Sequence, residues 1–146
     1  MANQGPTGIE PVLQVHPTRL CNIACAHCYS SSGPNVREEL PLELLATCIE
    51  DAAALGYRQF AVSGGEPLLY RPLAALLECA RTFGMVTTVT TNGLLATPSR
   101  WTPLAELVDV AAISIDGTPP EHDAIRRRPG AFARTVASMG RSLWLT

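Results

Sequence analysis

The sequence contains no lysine. All eleven basic residues are arginine, set against thirteen Asp and Glu for a net charge of −2. That balance gives no bulk positive charge for holding nucleic acid. It also has no apolar run long enough to cross a membrane. The first residues, Met1-Ala2-Asn3-Gln4-Gly5-Pro6, lack a basic region followed by an apolar stretch, so no secretory signal is expected and the expected compartment is the cytoplasm. What the chain does have is a core: 47% of its 146 residues are hydrophobic. A chain of this length forms one domain and buries roughly 70% of its unfolded surface.

Three of the five cysteines, Cys21, Cys25 and Cys28, fall within eight residues as C-x3-C-x2-C. Thiolates this close in sequence can converge on one metal centre. A structural zinc site takes four protein ligands, and His16 or His27 could supply the fourth. An iron–sulfur cluster held by three cysteines instead keeps one iron open for a substrate or cofactor. A disulfide would leave an odd thiol in a chain with no sign of secretion. Cys48 and Cys79 fall on expected helices and read as small core thiols.

Residues 1–11 read as a flexible polar leader. A short strand at Val12 to His16 stops at Pro17. Apolar residues at helical spacing follow Pro41 up to Leu55, with Gly56 as the stop. Strand patterns recur at Gln59 to Ser63, Val86 to Thr90 and Val110 to Ile115. Further helices are expected from Pro72 to Phe83, from a Thr102 cap to Leu107, and from Ala131 to Met139, with a fifth strand opening at Leu143 to Leu145. Alternating strands and helices predict an α/β fold with a parallel sheet. In such a sheet the cysteine loop, Gly64-Gly65-Glu66-Pro67, Thr91-Asn92-Gly93 and Asp116-Gly117 all gather at one rim.

The C-x3-C-x2-C loop followed by Gly64-Gly65-Glu66-Pro67 resembles the radical S-adenosylmethionine (SAM) enzymes, and the likeness runs from about Val12 to Phe132. It implies that Cys21, Cys25 and Cys28 hold a 4Fe-4S cluster whose fourth iron is chelated by the amine and carboxylate of SAM. The reduced cluster would then cleave SAM to a 5′-deoxyadenosyl radical that abstracts hydrogen. The same likeness implies that Gly64, Gly65 and Glu66 bind the methionyl amine, that Arg126 meets the SAM carboxylate, and that His27 lies close to adenine. Ser114 and Asp116 alternate along the fourth strand end and suit the ribose diol, although Asp116 could equally cap its turn. Asn92 could contact SAM or only form the turn with Gly93. An electron donor such as a flavodoxin or ferredoxin is implied as partner. Cys28-Tyr29 resembles the subgroup that modifies peptides, which suggests a peptide substrate.

The family fold has six strand–helix units, whereas about four are legible here. The expected fold is therefore a partial (βα) barrel with parallel strands, truncated after about four units, with residues 12–146 forming the N-terminal portion of a radical SAM core. Such a sheet leaves an apolar edge unpaired. A different reading is a non-catalytic iron–sulfur or zinc module, or an inactive remnant, built on the same cysteines.

Overall fold

Strand and helix alternate along the chain: β1 (Val12–Val15), α1 (Leu42–Ala54), β2 (Gln59–Val62), α2 (Leu73–Thr82), β3 (Val86–Thr91), α3 (Pro98–Trp101) and β4 (Val110–Ile113), then α4 (Pro119–Arg126) and α5 (Ala131–Met139). The structure is a computed structural model and describes residues 10–139. The first nine residues of the expected leader and the expected fifth strand at 143–145 lie outside them. The strands form one parallel sheet in the order β1-β2-β3-β4.

Side chains alternate across the sheet, and only one face carries the buried core. Val15, Val62 and Val89 lie in register in one row and are all buried. Leu45, Ile49 and Ala52 of α1 and Leu73, Leu76, Leu77 and Ala80 of α2 complete that core. In both helices these residues recur at the three- and four-residue spacing that makes one apolar stripe. The neighbouring row on the other face, Gln14, Ala61, Thr88 and Val110, is half-buried or exposed. Among the described residues β4 pairs with β3 alone, and Val110 stays 49% exposed.

Two helices differ from expectation. The helix expected from a Thr102 cap starts earlier, with Thr97 in the cap position and Pro98 as its first residue. Thr102 stands at its C-terminal end, and Pro103 belongs to a short 3-10 turn. The earlier start buries Trp101 and Leu104 against the main core. Helix α4 was not anticipated. Its Thr118 and Glu121 form a reciprocal capping box, and Arg127 ends it in the left-handed conformation.

Asp109 fastens the turn before β4. It accepts from the Thr87 N–H at 2.8 Å, from the Thr87 hydroxyl at 3.0 Å and from Arg81 at 2.8 Å. Burial alone would raise its pKa, but these donors outweigh it and hold the carboxyl below its ordinary 3.8. A depressed folded pKa means that the stabilisation is present above 3.8 and is lost as pH falls through the folded value. Asp109→Asn is therefore expected to flatten the acid limb of a plot of Tm against pH. An acid limb identical to wild type would refute this assignment.

Candidate functional site

Because the sheet is parallel, the segments after all four strands meet at one rim. The chain leaving β1 stays in register with the segment after β2. The Ser63, Gly65 and Glu66 N–H groups donate to the Val15, Thr18 and Leu20 carbonyls at 2.9–3.0 Å. The cysteine loop is closed below by a Leu20–Gly33 bridge and by the Cys21 N–H to the Gly33 carbonyl at 3.2 Å. Arg19 holds the returning segment of the loop through the Ser30 and Ser31 carbonyls. A cavity of about 260 Å³ opens at this rim, and every candidate residue lines it except Glu66 and His16.

The three thiols differ in environment. Burial pushes the Cys21 thiol up to about 11. Burial also raises Cys25, partly offset by the Arg126 guanidinium. For Cys28, burial is outweighed by donors from Ser30 and Ser32, and its pKa is lowered. Each sulfur has its own donor: Asn92 Nδ2 at 3.8 Å from Cys21, Arg126 Nη1 at 3.9 Å from Cys25, and the Ser32 N–H at 3.3 Å from Cys28. Ser30, Ser32 and Asn22, which also accepts from Asn92 at 2.8 Å, were not read as site residues. The serine run directly after Cys28 was the available signal.

Glu66 lies beneath the cavity and is fully buried. Its carboxylate accepts from the Leu68 N–H at 3.2 Å, the Thr91 hydroxyl at 2.7 Å and the Asn92 N–H at 3.0 Å. The expectation of an ammonium partner therefore has to rest on the glycine backbone, since the carboxylate is consumed within the fold. Gly64 adopts φ 108°, and its carbonyl accepts from Ser30 Oγ at 3.3 Å. A β-carbon at Gly65 would stand 2.2 Å from the Leu20 carbonyl oxygen, which is backbone and cannot swing aside. Gly65→Ala is expected to separate the segment after β2 from the cysteine loop. It should cost about 1–3 kcal/mol as overpacking and lower metal uptake with it. Denaturant unfolding and iron analysis check this, and wild-type values for both would contradict it.

Asn92 makes the turn considered for it and also reaches the cysteine loop. Its Oδ1 accepts from the Leu94 N–H at 3.0 Å to make the turn, while its amide reaches the cysteine loop. Thr135 Oγ1 donates to its carbonyl at 3.0 Å. Ser114 continues the pairing of β4, its N–H donating to the Thr91 carbonyl at 3.1 Å, and it lines the cavity beside Asp116. Asp116 Oδ2 accepts from Arg126 Nε at 2.5 Å, and Oδ1 lies 3.4 Å from His27 Nε2. Burial would raise Asp116, but the hydrogen bond and charge of the Arg126 guanidinium outweigh it and keep the carboxyl below its ordinary range. Buried His122 accepts the Asp116 N–H at 3.2 Å on Nδ1 and packs edge-on against Phe132. Ala26 N–H donates to the Ile125 carbonyl at 2.8 Å, so α4 braces the cysteine loop from the side.

Among the described residues no three His, Cys, Asp or Glu side chains converge as a single ion requires. In a cluster each cysteine binds a different iron, so its three sulfurs need not converge on one point. The three sulfurs line one cavity, and no other cysteine lines it. The donor set fits an iron–sulfur cluster.

Residues 15–141 match the model of the Radical SAM superfamily. The chain belongs to the radical SAM superfamily. It is 36% identical over 135 residues to pre-heme d1 synthase of Dinoroseobacter shibae, covering 89% of this chain and 33% of that protein. It is 34% identical over 123 residues to the PqqA peptide cyclase of Ruegeria pomeroyi, covering 82% and 33%. In fold it is similar to Streptococcus suis SuiB, solved bound to its precursor peptide SuiA, with a TM-score of 0.73 at 20% identity over 89% of this chain and 29% of that one. The chain thus spans about a third of the length of these relatives. The open four-stranded parallel sheet is the partial barrel expected. No helix among the described residues is long and apolar enough to cross a membrane.

Proposed function

We propose that this chain is the N-terminal part of a radical SAM enzyme core, with Cys21, Cys25 and Cys28 holding a 4Fe-4S cluster and SAM seated in the cavity beside it. The observation that carries the reading is the convergence of three thiols with the segments after β2, β3 and β4 on one cavity. With both groups bound, their chemistry is one-electron reductive cleavage of SAM and hydrogen abstraction from a substrate.

The chain's own contribution is to bind and orient. Cys28, whose pKa is lowered, is the thiol most ready to be ligand as thiolate, and Cys21 and Cys25 release protons as metal enters. Backbone at Gly64 and Gly65 receives the methionyl ammonium, Ser114 and Asp116 the ribose, and His27 the adenine. Arg126 is assigned to the SAM carboxylate. A flavodoxin or ferredoxin supplies the electron. Pre-heme d1 synthase and PqqA peptide cyclase match the chain about equally, at 36% and 34% identity, so this stretch is common to enzymes named for different chemistry. For the substrate we favour a peptide, supported by the likeness to PqqA peptide cyclase and by Cys28-Tyr29. Deuterium passing from a labelled peptide into 5′-deoxyadenosine is the expected result. No transfer from any peptide of a labelled library would remove that assignment.

The test of the site is anaerobic reconstitution with iron and sulfide, followed by electron paramagnetic resonance of the reduced protein with and without SAM. A cluster signal that changes on adding SAM is expected. Zinc bound without sulfide would replace the reading with a non-catalytic metal module, and a signal indifferent to SAM would remove the SAM site.

A further inference from the structure

Of the three cysteine sulfurs, only Cys25 meets a full positive charge. Cys21 faces a side-chain amide, and Cys28 faces a hydroxyl and a backbone N–H. Arg126 Nη1 stands 3.9 Å from Cys25 Sγ, and the same guanidinium is pinned through Nε to Asp116. Arg126 is only 8% exposed, so solvent screens the contact weakly. Its backbone is equally fixed. It ends α4, a helix capped by Thr118 and Glu121, and its neighbour Ile125 accepts the Ala26 N–H from within the cysteine loop.

We infer that Arg126 and Asp116 form a charge pair that positions Cys25 and sets the reduction potential of the cluster bound there, independently of SAM. The inference rests on the cluster reading above. The physical argument is the charge gained on reduction. One electron from an external reductant makes the cluster more negative, with no bond made or broken. A guanidinium beside one of its sulfurs favours the reduced form, and a nearby carboxylate opposes it. In the wild type the two charges act together. Removing Arg126 leaves Asp116 uncompensated at the cavity wall, so the potential is expected to fall. Neutralising Asp116 leaves the arginine unopposed, so the potential is expected to rise. Opposite shifts from two partners of one pair are a signature that a merely structural contact does not produce.

The experiment is a reductive titration of the reconstituted protein without SAM, followed by electron paramagnetic resonance, for wild type, Arg126→Gln, Arg126→Lys and Asp116→Asn. Leaving SAM out removes any part that Arg126 plays in binding its carboxylate. Arg126→Gln is expected to lower the reduced-to-oxidised ratio at fixed ambient potential at least tenfold, about 59 mV for one electron. Asp116→Asn should raise that ratio, and Arg126→Lys should retain most of the wild-type value. Loaded variants with unmoved potentials, or shifts of the same sign, overturn the inference while leaving the cluster reading intact. If Arg126→Gln takes up no cluster, Asp116→Asn decides, since an asparagine oxygen still accepts from the guanidinium; an unmoved potential there also overturns it. Wild-type protein that takes up neither iron nor sulfide overturns the cluster reading, and this inference with it.

Discussion

Cys25→Ala is expected to strip the chain of iron and sulfide while leaving its fold intact. Three thiols are available at the cavity, and no fourth cysteine lies near: Cys48 is on α1, and Cys79 is on α2, packed against the main core. Losing one of three ligands leaves two, which cannot hold the cluster on their own. Removing an outer partner of a metal ligand already costs roughly 10–100-fold in affinity, and removing a ligand itself costs more. The fold should tolerate the change, because Cys25 is only half-buried and belongs to the fringe of the small cluster formed by Cys21, Ile23, Leu94 and Ala131. Cys25→Ala and Cys28→Ala are therefore the clean variants. Cys21→Ala also loses packing, since Cys21 is buried in that cluster. Iron and sulfide assays alongside thermal unfolding check all three. The controls are Cys48→Ala and Cys79→Ala, expected to keep wild-type metal content. Full iron in Cys25→Ala, or its loss in both controls, would remove the cavity from consideration as the cluster site.

The parts of this fold that were legible are those set by local pattern. The β-branched run at Val86 to Thr91 and the apolar stripe of α1 are short-range signals, and the four strands lie where alternation and turn residues put them. The start of α3 was misplaced because Thr97-Pro98 and Thr102-Pro103 satisfy the same capping rule. Burial of Trp101 chooses between them, and that is a tertiary effect. α4 was missed although Thr118-Pro119-Pro120-Glu121 carries the capping-box spacing, since two prolines and a polar composition mask a helix. At the site, the convergence of loops followed from parallel topology alone. The contacts of Asn92 and Arg126 with the sulfurs did not, because these residues are 71 and 101 positions distant from the cysteines they meet.

Glu66 shows the same limit most clearly, and it carries the largest expected loss of stability. After two glycines at a strand end a glutamate reads as a ligand-facing group. Its true partners, Thr91 and Asn92, lie 25 and 26 residues on, at the end of β3. Glu66→Ala would leave the Leu68 N–H, the Thr91 hydroxyl and the Asn92 N–H without their acceptor in a site sealed from water. Each unsatisfied buried donor costs about 1–3 kcal/mol, so the loss should be at least about 3 kcal/mol. A domain has roughly 5–15 kcal/mol in total. Glu66→Gln keeps one acceptor oxygen but turns an amide donor toward another donor, so its loss should be smaller, about 1–3 kcal/mol. It should also remove a pH dependence. Burial raises the Glu66 pKa above 4.5, against the pull of the Asn92, Thr91 and Leu68 donors. The folded state therefore holds this proton more tightly than the unfolded chain does. Stability from this group is fully present below 4.5 and declines as pH rises from there through the folded value. Urea unfolding of both variants across that range is the measurement. Glu66→Ala within about 0.5 kcal/mol of wild type, the range of an ordinary surface change, would mean that the carboxylate does not hold β2 and β3 together. Where the loss is as large as expected, the Asn92 amide also loses its fixed position beside Cys21, and the cysteine loop is loosened from beneath the cavity.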